Sequence, residues 1–333
     1  MTMAVVSGAP GWLGTPLVEA LAQGASFRSI RTEPRRIRCL VHPSADASSL
    51  SRFGDRVEIV RVDLRDARAV RATCRDASTV FHCAGIVHPR RVRDLYDVNV
   101  GGTRNLIDAA TEAGVGRFVY VSSNSPAGLN VAPDTLMVEA DPPRPYLGYG
   151  LSKLQAEWLV NDAFRAGRLA TTIVRPCWFY GPHQPLRQTR FFRMIKEGHP
   201  IVVGRGDNLR SMSYVDNIVQ ALLLAEDKPI AAGRTYWVAD RRPYSFIEII
   251  ETVARVLGVE VHPRYLPAVT SDLARFADSM LQMTGLYNQE VHVAGELAAT
   301  IAVSVDAAVR DLGYDPEIEL DEAAARRRQH VVA

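Results

Sequence analysis

Through the first half of the chain, short apolar runs rich in valine and isoleucine alternate with longer stretches whose apolar positions recur at three- and four-residue steps. The runs 4–7, 37–41, 57–62, 79–82, 118–122 and 171–174 have the length and β-branched content of buried strands. Between them, 13–23, 67–75, 93–112 and 152–165 carry the helical period. Strand, helix, strand in sequence predicts an α/β fold: a Rossmann-type, doubly wound parallel sheet covered on both faces.

Beyond residue 175 the texture changes to segments punctuated by proline and glycine, 176–185 and 198–207, with one further amphipathic helix over 245–257. This predicts a dinucleotide-binding domain over 1–175 and a smaller C-terminal lobe over 176–333, mainly substrate-binding and partly interleaved with the first. Two stretches lack a regular pattern: 125–145, with its five prolines, and 266–302, which mixes weakly helical and loop-like pieces. Stretches of this kind are expected to serve as lids or binding loops.

Composition narrows the picture. At 333 residues, with 47% hydrophobic and 23% charged, the chain is long enough to bury a substantial core without metals or disulfides. Collagen-like, mucin-like and disordered readings are excluded. Lys+Arg 39 against Asp+Glu 37 leaves +2, too little to draw the chain onto nucleic acid or an anionic membrane, and points to a small-molecule partner. Cys39, Cys74, Cys83 and Cys177 form no CxxC pair and read as reduced thiols, Cys83 and Cys177 either in the core or at a pocket. With no basic segment before Ala4 and no apolar stretch near ~18 residues, a cytoplasmic location is expected.

The run from Val5 to Gly14 places Gly8, Gly11 and Gly14 at G-x-x-G-x-x-G spacing, directly after the first strand and at the mouth of a helix. Glycine lets the backbone turn sharply and lets a pyrophosphate approach without meeting a Cβ, while free N–H groups and the helix dipole attract its charge. Pro16 in the first turn predicts a helix that starts late or tight. An NAD site usually carries an acid at the end of the second strand, yet 37–42 offers none, so NADP is favoured over NAD. His42 with Ser44 is expected to reach a 2′-phosphate. Arg28, Arg31, Arg35, Arg36 and Arg38 would help, although a solvated surface insertion explains them equally well.

Tyr149 and Lys153 stand four residues apart, so on a helix they project from one face. A phenol is a poor base at neutral pH, and a neighbouring ammonium stabilises its phenolate and brings it into the working range. Tyr149 is therefore the candidate acid/base and Lys153 its electrostatic partner and a holder of ribose hydroxyls. Ser123, just past the fifth strand, is the candidate donor to the reacting oxygen.

Together these residues resemble the extended short-chain dehydrogenase/reductase family, which contains NAD-dependent epimerases and dehydratases and 3β-hydroxysteroid dehydrogenase-like enzymes. Further matches are Val62-Asp63-Leu64, His82-Cys83-Ala84-Gly85, Asp97-Val98-Asn99-Val100-Gly101-Gly102-Thr103, Arg175-Pro176 through Tyr180-Gly181-Pro182, and Arg210 before Tyr214-Val215-Asp216-Asn217. The resemblance implies that Gly8, Gly11 and Gly14, with Trp12 and Leu13 between them, hold the pyrophosphate. It gives Asp63 and Leu64 the adenine, Ala84 and Gly85 the middle of the cofactor, and Pro176 a place beside it. It also aligns Ser123 with the catalytic serine, puts Asn124 and Ser125 beside substrate, and implies a possible homodimer.

In sugar-nucleotide members, the arginine matched by Arg210 grips a diphosphate, a role that suits a bidentate guanidinium, although an exposed loop arginine without a ligand is the plain alternative. Trp178 stands where many of those enzymes carry asparagine, and steroid-type members often have an aromatic there. Asn124-Ser125-Pro126 replaces the acidic pair of 4,6-dehydratases, so elimination chemistry is not expected. The leading expectation is an NAD(P)-dependent oxidoreductase or epimerase acting on a secondary alcohol or ketone of a nucleotide sugar. The alternative is a 3β-hydroxysteroid-like or lipid β-keto dehydrogenase, suggested by Trp178 and by Leu129, Val131, Leu136 and Met137. A non-catalytic nucleotide sensor is remote because Ser123, Tyr149 and Lys153 are all present. Nucleic-acid binding is not expected, since the arginines of 28–38 and 326–328 lack interleaved aromatics, and no metal site is predicted.

Overall fold

The computed structural model describes residues 2–185 and 189–323; the arginines at 326–328 lie outside the described residues. The strands are β1 (Met3–Ser7), β2 (Arg36–Val41), β3 (Val57–Arg61), β4 (Ala77–His82), β5 (Arg117–Val121), β6 (Thr171–Pro176), β7 (Trp178–Tyr180), β8 (Ile201–Val203), β9 (Leu209–Arg210), β10 (Met212–Tyr214), β11 (Arg234–Val238), β12 (Tyr244–Ser245) and β13 (Arg264–Leu266). The helices are α1 (Gly14–Gln23), α2 (Ala67–Val70), α3 (Val92–Leu95), α4 (Thr103–Glu112), α5 (Leu147–Arg165), α6 (Thr189–Lys196), α7 (Val215–Asp227), α8 (Phe246–Leu257), α9 (Val269–Met283), α10 (Gln289–Glu296) and α11 (Asp306–Leu312).

Seven parallel strands form one sheet in the order β11-β6-β5-β4-β1-β2-β3, the doubly wound Rossmann arrangement. Alternation along β5 shows how both faces are buried. Phe118 and Tyr120 pack with Leu106, Ile107 and Val160 on one side, while Val119 and Val121 pack with Leu17, Leu222 and Trp237 on the other. Each such side chain contributes about 1.5–3 kcal/mol on burial. The six expected strands are all present; the seventh, β11, returns from beyond residue 176 to pair with β6.

Helix boundaries differ from the sequence pattern in instructive ways. The helix expected over 93–112 is three pieces, because Tyr96–Gly102 winds as a π-helical turn between α3 and α4. The one expected over 67–75 ends at Val70. α1 begins at Gly14, one residue later than the pattern, with Pro16 in its first turn between Thr15 and Leu17, whose amides donate to the Gly11 and Leu13 carbonyls. α5 begins at Leu147 rather than 152, which puts Tyr149 inside the helix. The weakly patterned 266–302 holds two full helices, α9 and α10.

Small pairings build the rest: β7 with β10, β9 with β12, and β8 with β13. Aromatic and aliphatic side chains, among them Tyr180, Tyr214, Tyr244 and Ile249, make a separate small core there. No helix among the described residues is long and apolar enough to cross a membrane.

Candidate active site

Neighbouring β1 and β4 send their chains to opposite faces of the sheet, α1 to one and α4 to the other, so a crevice opens beyond their C-terminal ends. The glycine turn lies at this point. Gly8 has φ +91°, and a Cβ there would stand 2.6 Å from the Ala84 nitrogen. A Cβ on Gly14 would stand 2.3 Å from the Gly8 carbonyl oxygen. The turn therefore closes upon itself and against the end of β4 in a way that only glycine allows, leaving the start of α1 facing the crevice.

Polar bonds behind the turn fix it. Ser7 and His82, paired across β1 and β4, bond at Oγ and Nδ1 (2.7 Å), and His82 Nε2 meets Thr103 Oγ1 at 2.8 Å. The Ala84 amide donates to Ser7 Oγ at 3.3 Å. Burial, with the charge of Lys153 adding to it, drops the His82 pKa to about 3, so the ring is a neutral bridge between two hydroxyls. Trp12 donates its indole N–H to the Pro182 carbonyl (2.8 Å) and packs against Phe179, tying the turn to the loop after β7. The Leu13 side chain belongs to the core, so within the turn it is its backbone that faces outward.

At the far end of the crevice, His42 and Asp63 follow β2 and β3. His42 Nδ1 bonds Ser44 Oγ at 2.8 Å, and its Nε2 lies 3.6 Å from the Asp63 carboxylate. Arg65 chelates Asp63 at 2.6–3.0 Å and holds its pKa down to about 2. Leu64 is buried, its carbonyl bonded by Asn105. The arginines before His42 are committed elsewhere: Arg35 to Glu226, Arg38 to Glu58 and the Thr73 and Arg75 carbonyls, and Arg28 to Glu317 and Asp315. The surface explanation thus holds for these three.

β5 delivers Ser122 and Ser123 to the crevice, and α5 delivers Tyr149 and Lys153. Among the described residues Ser123 Oγ makes long local bonds, accepting from the Ser125 amide at 3.3 Å and lying 3.3 Å from Ser125 Oγ and 3.4 Å from Asn124 Oδ1. Lys153 is 4% exposed and donates to the Val121 carbonyl at 2.8 Å, with its ammonium 4.3 Å from the centre of the Tyr120 ring. Burial pulls its pKa to about 7, and Glu157 works against that fall. Ammonium and amine are then comparably populated near neutrality.

Glu157, one turn beyond Lys153, is the residue the sequence reading missed. It is 2% exposed, accepts from Ser122 Oγ at 2.6 Å, and is chelated by Arg175 at 2.8 and 2.6 Å. Its signal was available: an acid at i+4 from Lys153 and i+8 from Tyr149 falls on the buried face of the same helix. Cys83 and Cys177 are free thiols whose pKa values burial raises, which leaves them inert packing groups.

The expected substrate residues Trp178 and Arg210 belong to the small strand pairings. Trp178 on β7 packs against Phe191 and Phe246 at 5.1 and 6.5 Å between ring centres. Arg210 on β9 is not an exposed loop residue: it is 7% exposed, donates from Nη2 to the Glu296 carbonyl, and has a buried Nε with no hydrogen-bond partner among the described residues. A Cβ built on the neighbouring Gly295 lies 2.6 Å from the Tyr146 hydroxyl, which places Arg210 and the start of α5 around the same α10 terminus. Among the described residues no cluster of metal ligands occurs.

A model of the NAD dependent epimerase/dehydratase family matches residues 4–239. The chain is 41% identical over 334 residues to the uncharacterized protein y4nL of Sinorhizobium fredii, covering 97% of this chain and 93% of that one. It is 30% identical over 275 residues to the 3 beta-hydroxysteroid dehydrogenase/Delta 5-->4-isomerase of Mycobacterium tuberculosis, covering 76% and 69%. The dTDP-glucose 4,6-dehydratase DesIV from Streptomyces venezuelae, solved with NAD and TYD bound, superposes with a TM-score of 0.77 at 22% identity over 98% of this chain and 95% of that one. That likeness carries the fold.

Proposed function

The chain belongs to the NAD dependent epimerase/dehydratase family and is an NAD(P)-dependent enzyme, and on that footing we propose that it oxidises or reduces a secondary alcohol or ketone of a nucleotide sugar. When bound, the nicotinamide accepts or donates the hydride. The glycine turn Gly8 to Gly14, Ala84, Gly85 and Pro176 would hold it, with Asp63 and Leu64 at the adenine. Ser123 donates to the substrate oxygen, Tyr149 moves the proton at that oxygen, and Lys153 carries the compensating charge. Residues 176–333 mainly supply the substrate wall. With no acid following Ser123, the reaction stops at redox or epimerisation.

Arg210 carries the substrate reading. Among the described residues its guanidinium makes no salt bridge, the Glu296 carboxylate acting on it only through its field, and its Nε is buried without a hydrogen-bond partner. A buried cation in that state is expensive, and a diphosphate of the substrate is the group that repays it. The lack of an acid in 37–42, at the end of β2, favours NADP.

A second reading, a 3β-hydroxysteroid-type alcohol, draws on the aromatic wall of Trp178, Phe191 and Phe246 and on the identity to the mycobacterial relative. One panel separates them: UDP- and dTDP-sugars against hydroxysteroids, followed by NAD(P)H absorbance and, for epimerisation, by product analysis. Turnover of a nucleotide sugar whose KM rises about 10- to 100-fold in Arg210→Ala supports the first. Turnover of hydroxysteroids alone, unaltered in Arg210→Lys, supports the second.

A further inference from the structure

α9 is built inside out. Val269, Leu273, Phe276, Met280 and Met283 recur every three or four residues along its outer side and are between 50% and 77% exposed, whereas Ser271 and Asp278 on the inner side are fully buried. The two side chains that α9 buries fully are thus polar, and their bonds fasten it. Ser271 Oγ donates to the Ala294 carbonyl and accepts from the Ala298 amide, which fastens α9 to the end of α10.

The remaining inward bonds link α9 to α10 and to the entrance of α5. Asp278 accepts from the Tyr146 hydroxyl at 3.2 Å, lies 2.7 Å from His292 Nδ1, and accepts from Gln282 at 3.0 Å. The Tyr146 ring stacks on His292 with centres 4.7 Å apart. Gln282 Oε1 in turn accepts the Gly148 amide at 3.0 Å. Between Tyr146 and Gly148 sits Leu147 with φ +51°, a left-handed conformation that a branched side chain rarely adopts and that its surroundings must enforce.

Helix capping explains the need. The first amides of a helix have no partner inside it, and a serine, threonine or aspartate at the cap usually supplies one. The cap of α5 is Tyr146, whose side chain makes no such bond. Gln282 of α9 takes over that role from outside, and Tyr149 follows one residue after the amide it caps.

We infer that Asp278 and Gln282, one turn apart on α9, are positioning residues that hold the strained entrance of α5 and so aim Tyr149 at the substrate oxygen beside Lys153. This rests on the proposed role of Tyr149. Both bonds flank Leu147, so removing either lets the backbone relax toward ordinary values and swings Tyr149 away from its place.

The test uses Tyr146→Phe, which removes only the bond to Asp278 and keeps the ring on His292, and Gln282→Ala, singly and together, with Tyr149→Phe alongside. The expected result is a loss of kcat of about 10-fold for each and about 100-fold for the pair, the scale of a 1 Å misplacement, with KM and nucleotide affinity within about twofold. In the oxidation direction the acid limb of kcat moves to higher pH, because a phenol drawn away from Lys153 ionises later. Unchanged kcat, or a loss that leaves the limb where it was, overturns the inference while an inactive Tyr149→Phe keeps the site intact. An active Tyr149→Phe overturns both.

Discussion

Lys153 donates its ammonium to the Val121 carbonyl at 2.8 Å, so the helix that carries Tyr149 is bolted to the strand end that carries Ser123. Three chemical groups from two distant stretches of chain are thereby held in one register. Replacing Lys153 with methionine keeps the stem and removes both the bolt and the charge. Turnover and nucleotide affinity should fall together, unlike a change that touches proton transfer alone, and steady-state kinetics with fluorescence titration of NADPH reads both.

The same lysine makes stability depend on pH. Its pKa falls from 10.5 to about 7 on folding, burial being the main cause. Between those values the unfolded chain holds the proton and the folded chain does not, so this group makes stability rise with pH across that window. Below about pH 7 its penalty is fully present. Urea unfolding of the cofactor-free protein from pH 6.5 to 10 should show a steeper upward component in wild type than in Lys153→Met, the difference isolating this residue from the cysteines and tyrosines that titrate in the same range.

Glu157 keeps two buried cations in place, Arg175 by chelation and Lys153 by its field. Glu157→Gln removes the charge with little change of shape and breaks the chelated pair with Arg175, which costs about 3–5 kcal/mol for a broken buried pair. Denaturant unfolding measures that loss. A cost below about 1 kcal/mol would mean that water reaches the pair.

Tyr149→Phe should lower turnover by about 10²- to 10⁴-fold, the range for a general acid/base, with nucleotide affinity retained. Single-turnover hydride transfer checks it, and near-normal rates would remove Tyr149 from the proton step.

What the sequence made legible was local. The glycine spacing from Gly8 to Gly14 and the four-residue step from Tyr149 to Lys153 are set by backbone geometry within one or two turns, and the structure brings them to one crevice. The pairing of Ser7 with His82 depends on strand neighbours 75 residues apart, and the Gly148 to Gln282 bond spans 134. Neither leaves a trace in spacing. α9 was hard to read for a physical reason: its apolar positions face outward and its polar ones inward, the reverse of the pattern that marks a packed helix. β11 sits far from the other strands in sequence, and only pairing with β6 assigns it to the main sheet.

The most direct test of the account needs no substrate. Titrating the purified protein with NADPH and with NADH, followed by quenching of intrinsic fluorescence, reads the crevice itself. Saturable binding of both, tighter for NADPH and lost in Gly8→Val, whose side chain would collide with the end of β4, is the predicted result. Binding of neither nucleotide by folded protein would contradict the assignment of the crevice, and with it the proposed chemistry.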